Sequence, residues 1–151
     1  MQGGLIQGKD RKMREILFKV KELTMDYWHE GLLTRLDQDI CHIKDNLHSE
    51  WICKSETICQ YTGLTDKNGR KIFEGDICEF SIFDYNGHDT QYKGVVVYAG
   101  SRFMLWKSKD SEYYGNDGGF DLDWTVSQDD GFEVIGNIFD NPELIRCGTA
   151  E

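Results

Sequence analysis

The segment QYTGLTDKNGRKIFEGDIC, residues 60–78, is the most informative stretch for the fold, because its glycines and acidic residues mark sharp reversals of the chain. DKNG, residues 66–69, has the composition of a tight hairpin turn, since Asn and Gly accept positive φ and the Asp carboxylate can accept hydrogen bonds from the following backbone. A second reversal is predicted at EGD, residues 74–76. After it, the run from Ile77 to Ile82 alternates like a strand. We interpret the segment as strands joined by two sharp corners, which a small sheet that bends back on itself requires.

Outward from this segment, short runs rich in Val, Ile and aromatic residues are separated by Gly, Asp, Asn and Ser, which is typical of strands and turns. REILFKV, residues 14–20, has the alternation of a half-buried strand. The other predicted strands lie at residues 51–59, 72–83, 94–99, 103–107, 120–126 and 132–139.

One helix is predicted between Leu32 and Leu47, where apolar residues recur at spacings of three and four. A final turn is predicted at Asn141, with Pro142 in its first position. These elements together predict a mainly β fold, a small barrel or sandwich with at most one short helix.

Three stretches resemble the YopX family of small proteins, which are found mainly in phages and prophages. QYTGLTDKNGRKIFEGDI is similar to the family's central signature, MREILFK (residues 13–19) to its first strand, and EVIGNIFDNPEL (residues 133–144) to its closing segment. The resemblance implies an all-β protein whose C-terminal part is a Src-homology-3-like barrel, preceded by an N-terminal β lobe. It implies no established biochemical activity and no catalytic residues.

On this basis we divide the chain into four parts. Residues 1–12 are expected to be a flexible leader, 13–59 an N-terminal β lobe with a variable insert, 60–146 the YopX-like β-barrel core, and 147–151 a tail.

The net charge of −10 is unevenly distributed, because residues 1–73 carry 12 basic and 11 acidic side chains whereas residues 74–151 carry 5 and 16. An acidic surface repels phosphate backbones, so direct binding of nucleic acid is not expected. No apolar run approaches the roughly 18 residues that span a bilayer, and the N-terminus lacks the apolar core of a signal peptide. We therefore expect a cytoplasmic protein without a membrane partner.

The five cysteines include no C-x-x-C pair and their number is odd, which favours reduced thiols over a disulfide framework. A zinc site is disfavoured, because structural zinc sites usually draw their ligands from closely spaced pairs. The residues considered for that site are Cys41, His42, His48, Cys53 and Cys59. Acidic residues between Asp110 and Asp130 lack the ligand spacing of a calcium loop. We find no nucleophile motif or phosphate-binding glycine loop, so no enzyme and no cofactor is expected.

The sequence therefore predicts a non-enzymatic protein-interaction module that contacts a protein partner or itself as a homo-oligomer. Aromatic and acidic residues together suit a partner with a basic surface, and the basic hairpin tip at Lys67, Arg70 and Lys71 could equally serve self-association. The candidate interaction residues are Tyr61, Lys67, Arg70, Asp76, Tyr113, Tyr114 and Trp124. Two alternatives remain: an acidic mimic of nucleic acid that inhibits a host DNA-binding protein, and a small metal-dependent enzyme that uses the carboxylates of residues 110–130.

Overall fold

The computed structural model describes residues 14–114 and 118–145. The predicted leader at residues 1–12 and tail at residues 147–151 lie outside the described residues. The strands are β1 (Phe18–Lys21), β2 (Trp28–Leu36), β3 (Ile40–Lys44), β4 (Glu50–Lys54), β5 (Cys59–Thr65), β6 (Lys71–Phe73), β7 (Asp76–Phe83), β8 (Asp89–Ala99), β9 (Arg102–Trp106), β10 (Phe120–Asp121) and β11 (Glu133–Asn137). The helices are the α-helix α1 (Leu122–Gln128) and two short 3-10 turns (Ser55–Thr57 and Pro142–Ile145).

The first sheet has six antiparallel strands in the order β4-β3-β2-β1-β5-β6. The four strands β4, β3, β2 and β1 curl into a roll. The end of β4 contacts the residues that directly follow β1. Glu22 and Cys53 form an isolated antiparallel bridge, and the Leu23 N–H donates to the Ile52 carbonyl at 2.9 Å. The interior of this roll is a small core of fully buried side chains, namely Val20, Cys41, Ile43 and Cys53.

The second sheet has five antiparallel strands in the order β10-β9-β8-β7-β11. Its larger core is centred on Phe80, whose ring packs on Phe132 at 5.7 Å and on Phe120 at 5.8 Å between centroids. Leu105 of β9 and Leu122 of α1 are fully buried in the same core. Burial of aromatic rings supplies much of the hydrophobic stabilisation of so small a sheet.

The predicted mainly β class is confirmed. In the described part of the chain the strands form two antiparallel sheets and no closed barrel. Hydrogen-bonded pairing in the second sheet ends at β10 on one side and at β11 on the other. One short α-helix is present there, and none of the helices in this part is long and apolar enough to cross a membrane.

The helix predicted between Leu32 and Leu47 is wrong: these residues form most of β2, a turn, β3 and the start of the next turn. A bulge between Leu33 and Arg35 shifts the register of β2 by one residue. This shift interrupts the alternation of the strand, so the apolar residues recur at spacings of three and four that resemble those of a helix. Pairing with neighbouring strands decides the structure here, and it leaves Leu32 and Leu47 exposed.

The strand predicted at residues 120–126 is correct only at its start. After β10 the chain turns into α1, because Asp121 caps the helix and its carboxylate accepts a hydrogen bond from the Trp124 N–H at 2.9 Å. The predicted final turn is present, with Pro142 as its first residue and the Asn141 carbonyl accepting from the Leu144 N–H.

Candidate functional site

The signature segment at residues 60–78 carries the chain from the first sheet to the second through β5, β6 and the start of β7. Its first turn is held by Asp66, whose Oδ1 accepts hydrogen bonds from the N–H groups of Asn68 and Arg70, both at 2.9 Å. Gly69 adopts a φ of 78°, which a side chain would disfavour. The predicted hairpin turn is therefore confirmed in its position and its chemistry.

Asp66 also joins this turn to the second sheet. Its other oxygen, Oδ2, accepts a hydrogen bond from the Val134 N–H of β11 at 2.9 Å, and the neighbouring Lys67 N–H donates to the Phe132 carbonyl at 2.9 Å. Burial alone would raise the pKa of Asp66, but its three backbone donors and the charge of Arg70 hold that pKa below its usual value. The turn thus covers the outer edge of β11.

The second corner of the segment makes equivalent contacts. Gly75 has a φ of 89°, its N–H donates to the Val96 carbonyl of β8 at 2.8 Å, and its carbonyl accepts from the Ile138 N–H at 2.9 Å. The Phe73 N–H donates to Asp76 Oδ2 at 2.8 Å. Both predicted corners therefore bond to the second sheet as well as reversing the chain.

A buried ion pair lies between the two sheets. Lys19 Nζ of β1 is 3.4 Å from Asp76 Oδ1 of β7, and it lies over the rings of Trp28 at 4.7 Å and Phe73 at 4.8 Å. Burial raises the pKa of Asp76, partly offset by Lys19 and by the Phe73 N–H. We call the contacts made by Lys19, Asp66, Gly75 and Asp76 the seam, since each joins the first sheet or the signature segment to the second sheet.

A second lysine of β1 reaches the chain beyond β11. Lys21 Nζ lies 2.5 Å from Asp140 Oδ1, while Asp140 Oδ2 accepts hydrogen bonds from Trp28 Nε1 at 2.8 Å and Asn137 Nδ2 at 3.1 Å. Partial burial alone would raise the pKa of Asp140, but these donors and the lysine charge lower it to about 2. Asp140 is therefore held as a carboxylate.

The four candidate residues within the signature segment occupy different environments. Tyr61 and Asp76 are buried, and the Tyr61 ring packs against Phe73 at 5.5 Å. Lys67 is exposed and pairs with Glu133 Oε1 at 3.2 Å. Arg70 is exposed. The structure therefore gives Tyr61 and Asp76 packing roles and leaves Lys67 and Arg70 at the surface.

The other three candidates lie around the second sheet. Tyr113 and Trp124 are exposed, whereas the Tyr114 ring packs on Tyr92 at 5.1 Å and on Phe120 at 5.3 Å. The Tyr114 hydroxyl is buried without a hydrogen-bond partner among the described residues, and burial raises its pKa well above its usual value. The acidic stretch that the sequence associated with these rings includes Asp117, which lies outside the described residues.

A cleft of about 260 Å³ lies between the first residues of α1 and the β8–β9 turn. Two of its aromatic side chains, Tyr98 and Phe103, pack edge to face at 5.2 Å, and Asp121 and Asp123 supply carboxylates. Arg102 lies 3.4 Å from Asp121. We call Tyr98, Phe103, Asp121 and Asp123, together with Trp124, the aromatic–acidic face; Trp124 does not line the cleft, but it follows Asp123 in α1 and its N–H donates to Asp121. The sequence named Trp124 as a candidate and placed Asp121 and Asp123 in the acidic stretch of residues 110–130. It missed Tyr98 and Phe103, because only the pairing of β8 with β9 brings these two side chains together.

The thiols of the described residues lie in environments that favour the protonated form. Cys41, Cys53, Cys59 and Cys78 are all buried and free. Burial is the main cause that raises the pKa of Cys53 to about 11 and of Cys59 to about 12. These four thiols are free in the structure, Cys147 lies outside the described residues, and the reduced state of the cysteines stays a prediction.

The residues considered for zinc do not converge. Cys41 and Cys53 are register partners that face the core of the roll, whereas the neighbouring His42 pairs with Ile52 and lies 3.5 Å from Glu50. Within residues 14–114 and 118–145, no group of three or more His, Cys, Asp or Glu side chains could hold a metal ion.

Residues 9–146 match the family described as YopX protein. The chain belongs to the YopX family. This YopX-family chain is also similar to the crystal structure of protein EF1440 from Enterococcus faecalis, with 26% sequence identity and a TM-score of 0.53, over 89% of this chain and 100% of that chain. None of the curated proteins compared with the chain matches it.

Proposed function

We propose that this YopX-family chain is a non-enzymatic protein-interaction module of phage or prophage origin, and that its aromatic–acidic face contacts a protein partner with a basic surface. The observation that carries the proposal is the exposure of two large aromatic side chains beside carboxylates: Tyr98 is 57% exposed and Trp124 is 51% exposed. Exposed Trp and Tyr residues are the side chains that most often dominate binding energy at protein interfaces.

The charge of the surrounding chain supports a basic partner. Residues 74–151 contain 16 acidic and 5 basic side chains, and β8, β9, β10 and α1 all lie in this half. An acidic field of this sign accelerates the approach of a basic surface and repels nucleic acid. Rigid strands and a capped helix present the aromatic groups, so little conformational entropy is lost on binding.

The environment of a cysteine, a histidine and a carboxylate in the roll supports the non-enzymatic part of the proposal. The Glu22 carboxylate lies 2.9 Å from His29 Nε2 in the roll, close to Cys53. Burial, and to a smaller extent Cys41 and this carboxylate, raise the pKa of the Cys53 thiol, whereas a nucleophilic cysteine requires a lowered pKa. This arrangement supports a structural role for the Glu22–His29 pair.

Affinity capture with matched variants tests the proposal. Tagged wild-type chain, Trp124→Ala and Tyr98→Ala are cross-linked in cells of a bacterial host, and the recovered proteins are quantified. Tyr85→Ala is the control, because Tyr85 is 97% exposed but lies at the β7–β8 turn, away from the aromatic–acidic face. A hot-spot residue is expected to lower affinity by about 30-fold, which corresponds to about 2 kcal/mol.

We expect the Trp124→Ala and Tyr98→Ala variants to lose a partner that the Tyr85→Ala variant retains. Equal recovery by all variants, or the same loss in the Tyr85→Ala control, would contradict the assignment of the face.

A further inference from the structure

A second cleft lies on the other side of the signature hairpin. It has a volume of about 270 Å³ and is lined by Lys19, Glu30, Gly69, Arg70, Lys71 and Phe73. We propose that this basic cleft binds a small phosphate monoester. This binding site is separate from the aromatic–acidic face and does not depend on the protein-interaction function proposed above.

The cleft has a surplus of positive charge. Three of its lining side chains are cationic and one, Glu30, is anionic. Since Lys19 is paired with Asp76, the charge available to a ligand comes from Arg70 and Lys71. Among residues 14–114 and 118–145, Arg70 and Lys71 form no ion pair within 4.0 Å, whereas Lys67 in the same hairpin is paired with Glu133. The Arg70 side chain acts on Asp66 only through its charge, and Lys71 Nζ lies over the Tyr61 ring at 5.7 Å. Unpaired guanidinium and ammonium groups at the mouth of a cleft provide the charge-assisted donors that phosphate oxygens accept.

The walls of the cleft are held in place before any ligand arrives. Asp66 fixes the backbone of Gly69 and Arg70 through the turn, and Thr62 Oγ1 donates to the Ile72 carbonyl at 2.8 Å. At the base, Lys19 is anchored by Asp76 and by the rings of Trp28 and Phe73. Because the backbone of the cleft is fixed before a ligand binds, only the side chains of Arg70 and Lys71 have to be ordered on binding.

The charge of the remaining molecule favours a small ligand over a polymer. With a net charge of −10, the chain repels an extended polyanion along its whole length, while a single phosphate group experiences mainly the cations next to it. A cleft of about 270 Å³ accommodates a phosphate group with a small organic substituent.

Nitrogen-15-labelled full-length chain is titrated with inorganic phosphate and with glucose 6-phosphate at constant ionic strength and pH 7.5, with amide shifts recorded by NMR. Saturable shifts are expected at Gly69, Arg70 and Lys71. Arg70→Gln and Lys71→Gln should each weaken binding about tenfold, because each removes one charge-assisted contact. Lys67→Gln is the matched control and should change affinity by less than about twofold, since Lys67 does not line the cleft.

A single-stranded oligonucleotide of 12 bases provides the second arm. We expect it to bind no more tightly than glucose 6-phosphate, and tighter binding of the oligonucleotide would contradict the assignment to a small ligand. Linear, non-saturating shifts with phosphate, or equal affinity of wild type, Arg70→Gln and Lys71→Gln, would overturn the proposal. Unchanged amide shifts in the Phe80 core confirm that each variant is folded.

Discussion

Two turns of this chain are built in the same way and have different consequences. In the β5–β6 turn, Asp66 Oδ1 accepts from the N–H groups two and four residues later, and in the β7–β8 turn Asp84 Oδ1 accepts from Asn86 and His88 in the same manner. Asp84 makes no contact beyond its own turn among the described hydrogen bonds, whereas Asp66 is buried and also bonds to Val134, 68 residues away. The same hydrogen-bond pattern therefore forms only a turn at Asp84, whereas at Asp66 it also forms part of the seam.

The β3–β4 turn repeats the pattern a third time. Asp45 Oδ1 accepts from Leu47 and Ser49, and His48 takes the positive φ of 68° that Gly69 takes in the β5–β6 turn. In all three turns the Asp and the residue three positions later define the turn, while contacts outside the turn determine its contribution to stability.

The largest expected effect comes from the buried ion pair of the seam. Lys19→Met leaves Asp76 buried without its partner and should lower the free energy of unfolding by about 3–5 kcal/mol. Lys21→Met is the control on the same strand, because its partner Asp140 is partly exposed and its loss should cost less. Urea unfolding followed by tryptophan fluorescence measures both, and equal losses would show that the seam pair has no special role.

The next largest effect separates the two matched turns. Asp66→Ala removes three backbone hydrogen bonds and leaves the buried Val134 N–H unpaired, so we expect a loss of about 3 kcal/mol. Asp84→Ala removes two hydrogen bonds at an exposed site and should cost at most about 1 kcal/mol, since water replaces them. Equal midpoints of urea unfolding for the two variants would contradict a seam role for Asp66.

A smaller effect concerns the pH dependence of stability. The pKa of Asp140 in the folded chain is lowered from 3.8 to about 2, so its contribution is present above pH 3.8 and disappears as pH falls towards 2. Asp140→Asn removes this dependence, and its stability should fall less steeply than that of the wild type between pH 5 and pH 2. Thermal unfolding across this range tests the prediction, and parallel curves would refute it.

The smallest effects come from exchanging residues at the positive-φ position of the turns. His48→Gly relieves an unfavourable φ and should stabilise the chain by about 0.5–1 kcal/mol. Gly69→Ala should destabilise it by a similar amount, about 1 kcal/mol, because an added Cβ meets no atom within 4 Å and only the φ is unfavourable. Thermal unfolding of both variants checks the opposite signs.

Features that depend on interactions within a few residues could be predicted from the sequence, whereas features that depend on contacts between distant parts of the chain could not. The DKNG turn was predictable because the Asp carboxylate and the Gly φ act within five residues. The apolar spacing between Leu32 and Leu47 was misread as a helix because strand pairing and the bulge after Leu33 are not local. In the candidate site, the burial of Asp76 could not be predicted, since its partner Lys19 lies 57 residues earlier in the chain.

The Asp66 turn joins the signature segment to β11, a claim that hydrogen exchange at the Val134 amide can check. In the wild type this amide donates to Asp66 Oδ2 and should exchange only through large-scale unfolding. In Asp66→Ala the protection of the Val134 amide against exchange should fall by more than the protection of core amides such as that of Phe80. In Asp84→Ala the protection of the Val134 and Phe80 amides should fall equally. Unchanged protection of Val134 relative to Phe80 in Asp66→Ala would contradict the claim.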